Sequence, residues 1–106
     1  MSWDISVRAD DVIVHTAILY ERNVTWNDAA IFHKALGMPF RALQAMRGRE
    51  ALPLITQALA NLEQHRSDYL ALEPDNGWGG IDDVVDVLSH LRMACQQRGD
   101  SRIFID

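Results

Sequence analysis

Cysteine is nearly absent from this chain. Its 106 residues hold one, Cys95. That excludes an intrachain disulfide framework and any multi-cysteine metal site. Lysine also occurs once, at Lys34, and the other nine of the ten basic residues are arginine. Three prolines and six glycines are too few for a collagen-like or low-complexity chain. No apolar run approaches the roughly 18 residues of a membrane span. The opening Met1-Ser2-Trp3-Asp4 has neither a basic nor an apolar leader region. No signal peptide is therefore expected, and the expected location is cytoplasmic. A net charge of −5 argues against a nucleic-acid partner, which calls for a basic face.

Catalytic signatures are missing too. The histidines His15, His33, His65 and His90 form no His-x-His or His-Glu-x-x-His, and there is no Gly-x-Ser-x-Gly or P-loop. Ser89 and His90 are adjacent, so a helix points them in different directions and they make no dyad. Asp86 and His90 are four apart and share a helical face. They suit an i, i+4 pair, and two ligands fall short of a zinc site. Asp82, Asp83 and Asp86 have no spacing that selects an acid–base partner. The expectation is no catalytic residue, no metal and no cofactor.

What remains is an ordinary globular composition, 48% hydrophobic and 24% charged, long enough for one domain over 1–106. Trp3, Ile5 and Val7 alternate with polar residues as in a half-buried strand. Ala9-Asp10-Asp11 reads as a turn. A second strand reads from Val12 to Tyr20, with an extension to Arg22, and the two make an antiparallel hairpin. Thr25 to Asp28 has the form of a capping box opening a first helix over about 26–36, with Ala29, Phe32, Ala35 and Leu36 on one face. Gly37 and Pro39 stop it. A second helix follows Gly48, with Glu50 at its positive end, Pro53 confined to its first turn and an apolar stripe of Leu52, Ile55, Leu59 and Leu62. Phe40–Met46 and Asp68–Leu72 fit short helical turns. The third helix carries Ile81, Val84, Leu88, Leu91 and Cys95 at helical spacing and is capped by Gly99. Arg102 to Asp106 is a terminal strand. The predicted fold class is α+β, a small antiparallel sheet of about three strands packed against three helices in the order ββαααβ. Trp3, Ile5 and Val7 on a short sheet edge would favour a homodimer.

Charge is unevenly spread. Lys34, Arg41, Arg47 and Arg49 lie in a stretch without acids. Glu73, Asp75, Asp82, Asp83 and Asp86 lie in a stretch without bases. Such polarity orients a partner. The loop Asn76-Gly77-Trp78-Gly79-Gly80 is the most unusual segment. Its glycines free the backbone, and Trp78 is either a plug packed beneath the loop or an exposed anchor. Asp82 and Asp83 at the following helix start would repel a phosphate. Phe40, Arg41, Met46, Arg47 and Arg49 mix apolar and arginine side chains in a way that suits an acidic protein partner.

Asn23-Val24-Thr25 read as a turn before a helix, Ala35-Leu36-Gly37, Glu50-Ala51-Leu52-Pro53-Leu54 and Asn76-Gly77-Trp78-Gly79 together resemble a group of small actinobacterial, phage and prophage proteins over roughly residues 20–106. The resemblance implies a mobile-element or accessory context and transfers no catalytic residue. The reading is a non-enzymatic protein-interaction protein, in one concrete form an inhibitor of a host defence system. Its binding residues are Trp78, Gly77, Gly79, Arg47, Arg49 and Phe40, and its partner is an unidentified protein, with no membrane or nucleic acid. A self-assembling homo-oligomer is the alternative. A small enzyme using Asp86, His90 or His33 is a third.

Overall fold

The computed structural model describes residues 1–11 and 15–106. Strands β1 (Ser2–Asp11) and β2 (His15–Thr25) form an antiparallel hairpin, and β3 (Arg102–Ile105) pairs antiparallel with β1 on its other side. The sheet order is β2-β1-β3. Helices α1 (Ala29–Leu36), α2 (Gly48–Gln64) and α3 (Ile81–Gln97) fill the chain between β2 and β3. Three 3-10 turns interleave with them, at Trp26–Asp28, Phe40–Leu43 and Arg66–Leu72. The α+β class holds, but the run ββαααβ is too simple.

The strands outrun their expected ends. Ala9-Asp10-Asp11 is strand, pairing with Ala17, Thr16 and His15. Asn23-Val24-Thr25 is also strand, because each residue finds a partner in Asp4, Trp3 and Ser2. The expected strand residues Val12, Ile13 and Val14 lie outside the described residues. Leu19 is the extra residue where the register shifts between Val7 and Arg8, a bulge that sharpens the local twist.

Alternation along β1 buries Trp3, Ile5, Val7 and Ala9 on one face, joined by Val24 from β2 and Ile103 and Ile105 from β3. β1 is the central strand, so Trp3, Ile5 and Val7 are core residues and cannot supply an edge for a second subunit. The β3 edge is covered as well. Ala45 N donates to Ile103 O at 2.7 Å, Ile103 N to Met46 O at 3.0 Å and Gly48 N to Ser101 O at 2.8 Å. Such cover removes the unpaired groups that make an edge sticky.

The helices bury the faces their spacing predicts, with local corrections. All of Ile81, Val84, Leu88, Leu91 and Cys95 are buried. The α2 stripe centres on Ala51, Ile55, Ala58 and Leu62, with Leu52 and Leu59 partly buried beside it. Ala29 is exposed, and Ile31 takes its place on the α1 face. Pro53 is the sixth residue of α2, beyond the first turn. It is exposed, as is Arg49, whose carbonyl it leaves without an amide partner in the helix. Gly99 does not cap α3; the cap is Arg98 in extended backbone, φ −139°. Gly48 is demanded by close approach: a Cβ there would stand 2.6 Å from Ser101 Oγ and 2.8 Å from Arg98 O.

Phe40 sits at the centre of an aromatic cluster. Its ring stacks on Phe32 at 4.1 Å and lies 5.1 Å from Trp3, and Phe32 meets Trp3 edge-on at 6.2 Å. At 2% exposure it cannot reach a partner, so its expected place on a binding surface is corrected. Truncation would leave a cavity against the Phe32 and Trp3 rings. Phe40→Ala is therefore expected to lower the unfolding free energy by about 3–5 kcal/mol, measured by urea denaturation. A loss under about 1 kcal/mol is the surface-substitution range and would contradict this packing.

Candidate functional site

The Gly-Trp-Gly loop is folded back on the start of the first helical segment. Asn76 closes a turn by accepting from Trp78 N at 3.0 Å, and Asn27 Nδ2 donates to Trp78 O at 3.4 Å. Gly80 N donates to Asp28 Oδ1 at 2.7 Å. Gly79 takes φ +87°, and a Cβ on it would collide with Asp28 Oδ1 and stand 2.9 Å from Thr25 Cγ2. Only glycine satisfies both the positive φ and the close approach. The backbone is thus pinned while the Trp78 side chain points away, with the residue 71% exposed. Of the two readings for Trp78, the structure takes the exposed one. Trp26, 44% exposed, adjoins Asn27 and adds a second indole to this end.

Asp28 is the unexpected residue. The capping-box reading had its carboxyl returning a bond to the helix start. Instead Thr25 Oγ1 accepts from Asn27 N at 3.2 Å without that reciprocal bond, and Asp28 turns inward and is fully buried. Burial is the main force raising its pKa, to about 7; the Asp83 carboxyl beside it pushes the same way, and the Gly80 amide opposes. Oδ2 of Asp28 has no donor. A proton on Asp28 turns two facing carboxylates into a hydrogen-bonded pair, which is why the partner Asp83 is driven to lower pKa.

Arg22 completes the cluster. It reaches Asp83 through Nη2 and Asp86 through Nη1, the latter at 2.7 Å. Asp86 and His90 do share a face, with His90 Nδ1 2.8 Å from Asp86 O and 3.5 Å from Asp86 Oδ1. The His90 ring stacks on Tyr20 at 5.3 Å. Desolvation raises the Tyr20 hydroxyl pKa against the pull of Arg22. These groups are held by one another, tying β2 to α3. Among the described residues no group of three His, Cys, Asp or Glu is placed to hold a metal. Cys95 is buried, and desolvation pushes its thiol up to about 11, which makes it inert as a nucleophile.

The predicted binding residues do not form one surface. Gly77, Trp78 and Gly79 precede α3, whereas Arg47 and Arg49 lie by its far end, where Arg49 N donates to Gly99 O and Arg47 Nη1 to Asp100 O. Seventeen helical residues separate the two ends, about 25 Å. Sequence reasoning missed Asp28, Arg22 and Trp26. Their one signal was that a capping position, a strand position and a helix start gave each an ordinary local explanation.

The carboxyl pair has a pH signature. Between the ordinary 3.8 and about 7, the folded chain holds a proton on Asp28 that the unfolded chain has released. Stability should therefore fall as pH rises through that window. The lowered pKa of Asp83 acts oppositely, below 3.8. Asp28→Asn keeps the acceptor for Gly80 and supplies a permanent donor to Asp83. It is expected to flatten the slope between pH 5 and 8 and to exceed the wild type in stability at pH 8, by denaturant titration across pH. Gly79→Ala is expected to destabilise the fold by about 1–3 kcal/mol in the same assay. An unchanged pH slope in Asp28→Asn would count against the shared proton. Comparison with family models, curated proteins and solved structures returns no match for this chain, so its function is argued from this geometry.

Proposed function

We propose that this chain is a non-enzymatic protein-binding module whose contact centre is Trp78. The observation that carries the reading is an indole 71% exposed on a loop whose backbone is fixed at three points. A large rigid aromatic loses little conformational freedom on binding, and such side chains dominate binding energies. The Trp78 surroundings are acidic, with exposed Glu73, Asp75 and Asp82. The complementary surface is an apolar pocket rimmed by lysine or arginine. Arg47 and Arg49, at the other end, lie outside this contact.

The test is capture of partners from lysate of the native host by the tagged chain, followed by titration calorimetry with the partner so identified. Trp78→Ala should fold normally, because the residue is 71% exposed, and should weaken binding by at least about 30-fold. Arg49→Ala should leave affinity unchanged. A partner bound equally well by folded Trp78→Ala would refute the assignment.

A further inference from the structure

At the opposite end, three arginines stand in one lateral row. Arg8 of β1 is directly opposite Arg102 of β3, and Arg102 is paired in turn with Arg47. Directly opposed residues on a sheet have Cβ atoms about 5 Å apart, and like charges there are destabilising. Among the described residues, the ion pairs involve Arg22, Arg66, Arg98 and His90, and none involves Arg8, Arg47 or Arg102. Asp100 lies beside the row: Arg98 grips both its oxygens at 2.9 and 2.8 Å and is the main force holding its pKa down near 2, with a smaller pull from Arg47.

The three side chains line a cavity of about 240 Å³ with Asp10, Asp100, Thr16 and Phe104. Each guanidinium is aimed by one hydrogen bond. Arg8 Nε donates to Ser6 Oγ at 3.0 Å, Arg47 Nη1 to Asp100 O at 3.0 Å and Arg102 Nη1 to Ala45 O at 2.9 Å. Arg8 also lies over the Phe104 ring, 4.9 Å from its centre. Ala45, whose carbonyl holds Arg102, has φ 65°, a costly conformation for a residue with a Cβ. A guanidinium has five N–H donors, so most of each fork remains free. Backbone strain and charge repulsion converge on one hollow.

We infer that this hollow is an anion site that takes the diphosphate group of a small molecule. Arginine forks match phosphoryl oxygens bidentately. Three forks spread along the row can be shared between the two phosphoryl groups of a diphosphate, and the volume of about 240 Å³ is below that of a drug-sized pocket. Asp10 and Asp100 are the opposing charges in the lining, and Arg98 already occupies both oxygens of Asp100. Free pyrophosphate and a nucleoside diphosphate share the recognised chemistry.

Titration calorimetry of the full chain with inorganic pyrophosphate, and separately with ADP, tests the inference. Saturable binding that weakens with salt is expected. The Arg8→Gln/Arg102→Gln variant should lose at least about 30-fold in affinity, and Asp10→Asn should gain about fivefold. Equal binding of the two probes assigns the site to the diphosphate alone, and tighter ADP binding to a nucleotide. Relief of like-charge repulsion should leave the double variant at least as heat-stable as the wild type without ligand, which separates lost binding from lost folding. The inference is overturned if neither probe saturates, if the double variant binds as well as the wild type, or if a single-stranded oligonucleotide binds more tightly than both.

Discussion

One buried contact organises the end of the molecule that carries Trp78. The Asp28 carboxyl accepts the Gly80 amide from beneath the loop and faces Asp83 on the first turn of α3. A charged, unpaired carboxylate in that position would be costly. A protonated one satisfies the amide and the neighbouring carboxylate together. The loop conformation, the glycine requirement at position 79 and the entry of α3 all depend on that arrangement. Arg22 anchors the far side of Asp83 and extends the same network into β2.

The chain thus carries its distinctive chemistry at two ends of a long helix. One end presents the exposed Trp78 indole among acids on a braced loop. The other presents a row of arginines that, among the described residues, closes no ion pair. Polarity of this kind orients an approaching molecule before contact. The core between the ends serves as a spacer, with Phe32, Phe40 and Trp3 packing α1 and the Phe40–Leu43 turn against β1.

Periodic segments were the most legible part of the sequence. The α3 stripe and the alternation of Trp3, Ile5 and Val7 both report burial directly, because one face of each element meets the core. The ends of elements were less legible. Asn23-Val24-Thr25 has turn-like composition yet is held as strand by its partners across β1, which lie about twenty residues away. Phe40 was misplaced for a related reason: it neighbours Arg41 in sequence, but a 3-10 turn sets successive side chains about 120° apart, which buries Phe40 and leaves Arg41 exposed. Arg8 and Arg102 are isolated in sequence, and only strand pairing sets them side by side. Asp28 matched a local capping rule, and a long-range amide outcompeted that rule. Trp78 was visible as unusual, while its exposure depended on contacts made by Asn27 and Asp28.

The central claim is that Asp28 shares a proton with Asp83 beneath the Trp78 loop. Direct titration of the Asp28 carboxyl carbon by NMR tests it without any substitution. The account predicts a midpoint near 7, with the Gly80 amide shifting over the same range. A midpoint near the ordinary 3.8 would contradict it, and would mean that water or another donor reaches the carboxylate and that the loop is braced by other contacts.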